Sequence, residues 1–221
     1  MSASEPILFF DASRPELAAG VLAEGRWLSL ERAEGDAIAL VPALAGKALA
    51  AAGLAAPSKA AAYAFCEGPG SLLSLRLAAM CINSWLALPE NAGKKVLGYR
   101  SVEVAAALLA LEEPGAAFRM ATAVRRGTYY FCDEKGEGGS LASAEELAAS
   151  PVPVRILLQR RSGRDAEPGT PFAPDLARLP QIFASRPELF REKERAEVFA
   201  PLLSEYKLWE GARHRAPESR A

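Results

Sequence analysis

A single charge in seventeen residues is the strongest constraint this sequence places on its fold. From Leu72 to Leu88 only Arg76 is charged. The run follows an apolar segment at 60–66 (Ala-Ala-Ala-Tyr-Ala-Phe-Cys) and a Gly-Pro-Gly turn, and Pro89 closes it. A buried strand, a tight turn and a long apolar helix form a unit whose helix must cover a sheet. A helix apolar nearly all round needs burial on more than one face. One face meets the sheet. The other, around Leu73, Met80 and Ile82, needs another helix or a partner. Trp85 fits core or interface equally. Ser74, Arg76, Asn83 and Ser84 make the run too polar for a membrane span.

The flanking pattern supplies the rest of the unit. Residues 6–11 read as a buried strand ending in an acid, and 12–16 as a turn. Residues 17–23 and 26–31 read as two strands joined by a Glu24-Gly25 hairpin turn. A helix is expected over about 38–53, with Pro42 limiting where it can start. Residues 96–98 read as a short strand and 101–111 as a helix. The pattern restarts near Glu112-Glu113-Pro114-Gly115. Strands are expected at 117–124 and 127–133 around Arg125-Arg126-Gly127. Ser143 and Glu146 form a capping-box signature for a helix at 144–149. A strand is expected at 152–158, a loop over 160–180, and a last helix at about 193–209 packing Val198, Leu202 and Leu203. The order predicts mixed sheets rather than a parallel one. It predicts an N-terminal lobe at 1–113 and a smaller α/β lobe with a polar tail at 114–221. No repeat shows at a fixed period.

Composition excludes several classes. The net charge of −1 over 221 residues gives no basic excess for gripping nucleic acid directly. Cys66, Cys81 and Cys132 are odd in number, far apart and in apolar settings, which suits a reducing compartment better than a disulfide framework or a zinc site. Met1 to Pro6 carries neither a basic nor an apolar region of signal-peptide type, so a cytoplasmic protein is the expectation. The one histidine, His214, lies in a polar stretch with Arg213, Arg215 and Glu218. That is a poor place for the base of a catalytic triad, and metal-ligand spacing is absent. No catalytic residue, metal or cofactor is assigned.

Residues 67–76 read Glu-Gly-Pro-Gly-Ser-Leu-Leu-Ser-Leu-Arg. Gly68 and Gly70 allow backbone conformations barred to other residues, and Ser71 can cap the following helix. Free N–H groups there could hold an anion, nucleotide or phosphate, at Gly68, Gly70 and Ser71. A plain tight turn before a core helix explains the same residues. Arg125 and Arg126 offer a second possible anion contact, against the simpler reading of a solvent-facing hairpin. Asp11 reads as a strand-end acid closing a turn, with a metal-facing acid as the alternative.

The whole string resembles the Gly-Pro-Gly-Ser-Phe-Thr-Gly-Leu-Arg signature of the TsaB (YeaZ-like) family. Ile7-Leu8-Phe9-Phe10-Asp11-Ala12-Ser13 resembles that family's opening strand and turn. Leu40-Val41-Pro42 with Leu44 resembles its first-helix motif, and Val124-Arg125-Arg126-Gly127 with Tyr130 resembles the strand pair opening its second lobe. The resemblance implies an α/β, actin-like (ribonuclease H-like) two-lobed fold, with mixed sheets flanked by helices. It implies a non-catalytic scaffold that binds a TsaD-like catalytic subunit and supports threonylcarbamoyl transfer to the adenosine beside the tRNA anticodon. A TsaE-like ATPase would be a further partner, tRNA would be met only through the complex, and the chain alone would be a homodimer. The interface would lie on the first two helices, at Leu40, Leu44, Leu73, Arg76 and Met80. Alternatives are an actin-fold kinase, a glycoprotease-like enzyme, or a homodimer without the modification role.

The chain departs from that family in several places. Leu72, Leu73 and Ser74 replace Phe, Thr and Gly. Ala123 and Thr128 stand where the family has Asp and Glu. The first turn, Asp11-Ala12-Ser13-Arg14, lacks the glycine with which actin-like ATPases cradle phosphate, which argues against ATP hydrolysis.

Overall fold

The computed structural model describes residues 5–157 and 168–202. The chain opens with a three-strand meander, β1 (Ile7–Asp11), β2 (Glu16–Ala23) and β3 (Arg26–Glu34). Glu24 and Gly25 both take positive φ, 54° and 70°, the turn whose twist matches a two-residue hairpin. Helix α1 (Ala37–Ala51), strand β4 (Ala62–Gly68), helix α2 (Leu72–Leu86), strand β5 (Lys95–Arg100) and helix α3 (Ser101–Glu112) follow. β4 runs parallel to β1 and β5 parallel to β4.

A second meander, β6 (Arg119–Arg125), β7 (Thr128–Asp133) and β8 (Ser140–Ser143), leads into the short helix α4 (Ala144–Ala148). Then β9 (Val154–Leu157) runs parallel to β6, and β10 (Thr170–Phe172) parallel to β9. The two sheets therefore repeat one topology: meander, helix, then two parallel strands. The similarity lies in strand pairing rather than in residue period, so no sequence repeat announces it. Helix α5 (Leu179–Ser185) and strand β11 (Arg191–Lys193) then bring the chain back, and β11 pairs antiparallel with β5 at the edge of the first sheet.

Alternation along the strands builds the layers. Leu8 and Phe10 face α1 and α2; Ile7 and Phe9 face α3 and α5. Helix α3 is the central layer. Its Val104, Ala107 and Leu108 pack on the first sheet's core, and Val102, Ala105, Ala106 and Leu109 on the second's. Residues 101–109 are buried without a break. α3 is thus the helix covered on both faces, whereas α2 is covered on one.

The first helix forms close to its expected bounds, from Ala37 to Ala51, and holds Pro42 inside it. Asp36 caps the helix through Ile38 N, and the carbonyl freed by the proline is that of Ile38, exposed enough for water to take the bond. The expected helix at 193–209 is not formed over its described part: residues 191–193 are a strand and 194–202 are irregular, while 203–209 lie outside the described residues. The packing of β11 on β5 outweighs the local pattern. Of the expected loop at 160–180, residues 158–167 lie outside the described residues, and the rest contains β10 and the start of α5. The four-residue strand β8 has an alternation too short to be read from sequence.

Candidate functional site

Helices α1 and α2 lie side by side on one face of the first sheet, and their outer surface is apolar. Leu72, Leu73 and Met80 of α2 are 46%, 61% and 64% exposed, and Ile38 of α1 is 62% exposed. Arg76 is exposed one turn above Leu72 and one below Met80. Single exposed apolar residues are ordinary; several on adjoining helices form a surface that water hydrates at a cost.

Not every residue assigned to this face by sequence lies on it. Leu40 is half-buried and packs against the core, and Leu44 belongs to the core itself. Position 44 shares the inward face of α1 with Val41, Ala45 and Ala48, which meet the sheet. Ile82 is also buried, so the outer face of α2 runs through Leu73 and Met80 without it. Trp85 is half-buried, its ring 5.8 Å from that of Phe10 and 5.7 Å from that of Tyr63, on the core side. Ile38, which the sequence pattern did not single out, joins the face because the helix starts a turn before the proline. Between the two helices, Gly46 and Ala50 of α1 face Cys81 and Trp85 of α2 across an open groove of about 560 Å³.

The other flank of α2 carries an irregular segment, residues 196–200. Asn83 fixes it: its amide nitrogen donates to Ala196 O and its amide oxygen accepts from Ala196 N, both at 2.9 Å. Phe199 N donates to Glu67 O at 2.8 Å. Together with Leu72, Arg76, Ala79 and Met80, the segment walls a shallow groove of about 400 Å³.

The glycine turn before α2 is a packing device. Ser71 N donates to Ser13 O at 3.0 Å, and a Cβ on Gly70 would lie 2.6 Å from that same oxygen. Gly68 has φ of +111°, open to glycine and strained for other residues. Ser71 does not cap the helix with its side chain, contrary to expectation: its hydroxyl pairs with that of Ser74 at 2.9 Å. The backbone of Ser13 thus already occupies the position an anion would take at Ser71 N. Arg125 and Arg126 sit at the exposed tip of the β6–β7 hairpin, on the second sheet, and Arg125 donates to Thr128 Oγ1 at 3.1 Å. The two groups suggested for anion contact are therefore on different sheets.

The carboxyl ends of parallel strands are where α/β sheets usually hold ligands. Here those ends are Asp11, Glu67 and Arg100, and side chains fill the space above them. Asp11 closes its turn by accepting from Ser13 N at 2.9 Å and Ser13 Oγ at 2.6 Å, and it accepts from the Tyr99 hydroxyl at 2.9 Å. Burial, and then the charge of Asp11, pushes the Tyr99 hydroxyl and the Cys66 thiol well above their ordinary values. Glu67, buried, meets Lys193 Nζ at 2.7 Å and, more loosely, Arg100 Nε at 3.5 Å. The Phe199 ring lies 3.3 Å from the Arg100 guanidinium carbon, and Arg100 donates to the Tyr130 hydroxyl at 3.2 Å. Arg191 approaches buried Glu103 at 2.8 Å, an ion pair by distance whose alignment falls short of a hydrogen bond.

A cavity of about 10 Å³ remains beside Asp11, Arg14 and Tyr99, room for one water. Arg14 Nε is buried there without a hydrogen-bond partner among the described residues. Among the described residues no group of three or more His, Cys, Asp or Glu is placed to hold a metal. No helix among them is long and apolar enough to cross a membrane. The role of Glu67 is not legible locally, because its partners come from positions 100 and 193.

No protein-family model matches the sequence, and no curated protein matches it. Among solved structures the chain is similar to YeaZ from Pseudomonas aeruginosa, with 23% identity and a TM-score of 0.62 over 88% of this chain and 99% of that one. It is similar also to an uncharacterized protein described as having similarity to peptidase YEAZ from Pseudomonas aeruginosa, with 24% identity and a TM-score of 0.60 over 89% and 99% of the two chains. At this level of identity the likeness is one of fold: the chain has the actin-like, two-sheet α/β architecture of these structures.

Proposed function

We propose that this chain is a divergent TsaB-type protein: a scaffold, without catalysis of its own, that binds a TsaD-like catalytic subunit and supports threonylcarbamoyl transfer to the adenosine beside the tRNA anticodon. The observation that carries the proposal is the exposed apolar surface of α1 and α2, at Ile38, Leu72, Leu73 and Met80. A surface of that kind stabilises a complex by leaving water, and helix pairs on both sides can pack at the shallow angle of bundles. The likeness in fold to YeaZ and the order of the sequence motifs support the same reading.

The filled cleft supports the scaffold over a kinase. Ala12, Ser13 and Arg14 are buried where a phosphate-cradling turn would need open backbone. The residual cavity has room for one water and none for a nucleotide. The test is to mix the purified chain with the TsaD-like subunit of the same genome, measure complex formation by sedimentation, and assay ATP turnover by the chain alone. A stoichiometric complex and no turnover are expected. Turnover that disappears with Asp11→Ala would overturn the reading in favour of an enzyme.

A further inference from the structure

The two helices behind the outer apolar face carry charge of one sign. α1 and α2, fifteen residues each, contain Lys47 and Arg76 and no Asp or Glu, although the chain as a whole has a net charge of −1. Both cations are exposed, and among the described residues neither enters an ion pair. Arg76 follows Leu72 and Leu73 and precedes Met80 at the three- and four-residue spacings that make helix side chains neighbours. A contact that covers those three side chains also takes the guanidinium out of water.

The acids nearest this face are already engaged. Asp36 caps α1, accepting from Ile38 N at 3.0 Å. Glu197 lines the groove beside α2 together with Arg76, but Arg195 donates to its carboxylate, and among the described residues it makes no ion pair with Arg76. Arg76 therefore has no counter-ion of its own, and a guanidinium buried without one opposes the contact that buries it. A second copy of the chain does not supply the missing charge. In a two-fold dimer through this face the same surface meets itself, so helices that bear cations and no acid would oppose one another.

We propose that Arg76 sets the selectivity of this face: it admits a partner whose apolar surface carries an aspartate or glutamate opposite the guanidinium, and it opposes pairing of the face with a second copy of the chain. The first half rests on the TsaD-like partner assigned above and gives that partner's contact surface a carboxylate; the second half rests on the charges alone. A guanidinium takes a carboxylate through two parallel N–H···O bonds, which fixes register as well as sign.

The test is Arg76→Gln, which removes the charge without making the face more apolar, with Arg76→Lys as the conservative control. Arg76 is exposed, so all three chains should share one urea midpoint. Sedimentation equilibrium of each chain alone measures self-association, and calorimetric titration with the TsaD-like subunit measures partner affinity. For Arg76→Gln the two should shift in opposite directions: partner affinity lower by at least about ten-fold, and self-association stronger by about ten-fold. Arg76→Lys should stay closer to the parent in both. Partner affinity unchanged or raised in Arg76→Gln overturns the carboxylate; self-association unchanged or weakened overturns the rejection of a second copy. Failure of the parent to bind the subunit counts against the assigned partner and takes the carboxylate with it, whereas stronger self-association of Arg76→Gln would still support the second half.

Discussion

Gly70 lies against Ser13 so closely that a Cβ at position 70 would stand 2.6 Å from the Ser13 carbonyl oxygen and 2.7 Å from its Cα. Both obstructions are backbone or close to it, so neither can rotate away. The turn that connects β4 to α2 and the turn that follows β1 are thereby locked together, and Ser71 N completes the lock by donating to the same carbonyl. Gly70→Ala is expected to destabilise the fold by about 2–4 kcal/mol, as overpacking against backbone does. Urea denaturation of the variant reads this directly. A variant as stable as the parent would return the glycine to an anion-binding role.

Gly98 makes room for the Glu67 carboxylate. A Cβ at position 98 would overlap that carboxylate, with Glu67 Cδ at 2.7 Å. Gly98→Ala should therefore cost about 2–4 kcal/mol by displacing a buried charge from Lys193 and Arg100. The cost should shrink by at least about 1 kcal/mol in a Glu67→Ala background, where the obstruction is gone. Additive effects in the double-mutant cycle would show that the two positions do not share space in solution.

Asn83 holds residue 196 through both ends of its side-chain amide. Asn83→Leu, close in size, is expected to cost about 1–3 kcal/mol, because the Ala196 N–H and C=O lose their partners in a half-buried place. Hydrogen exchange should accelerate at Ala196. Exchange unchanged at that amide would mean that the hydrogen bonds do not secure the segment.

Alkaline pH should weaken the fold. Tyr99 and Cys66 hold their protons well above the ordinary values of 10.0 and 9.0, first because they are buried and next because Asp11 is near. Unfolded, both groups ionise near those ordinary values. As pH rises past them, the unfolded state binds fewer protons than the folded one, so unfolding stability falls. The loss is about 1.4 kcal/mol per pH unit for each group once the unfolded group is ionised. Below about pH 8 the two states are equally protonated at these sites and neither contributes a slope. Tyr99→Phe should remove its share of the slope, measured as urea midpoints from neutral to strongly alkaline pH. A profile flat through this range would contradict the burial of both groups.

The sequence was readable where period and turn chemistry agree. The Glu24-Gly25 hairpin, the Ser143–Glu146 capping box and the alternation of β1 can be found locally, and the structure places all three. Local signals failed where tertiary pairing decides. Nothing near Arg191 marks it as a strand; β5 supplies the partner from 93 residues earlier, at Gly98. The apolar face of α2 was legible from its missing charges, yet Ile82 and Leu44 were placed one face wrong, since a composition nearly apolar all round does not say which side meets the sheet. The closed cleft was legible only in part. Asp11 and the missing glycine lie in one short stretch, but Glu67, Arg100, Lys193 and Phe199 meet through the return of the chain.

The central claim is that the outer face of α2 is a protein-binding surface, and a charge placed on it tests the claim most directly. Leu73→Glu and Met80→Glu each replace an exposed side chain, so both variants should fold with unchanged urea midpoints. Burying the new carboxylate against an apolar partner should cost about 2–3 kcal/mol, a loss of roughly 30- to 200-fold in affinity for the TsaD-like subunit. Sedimentation or calorimetric titration of parent and variants with that subunit gives the decision. A tight complex for the parent, weakened in both variants, is the expected result. Folded variants that bind as well as the parent would place the interface elsewhere and leave the α2 face without the role assigned to it.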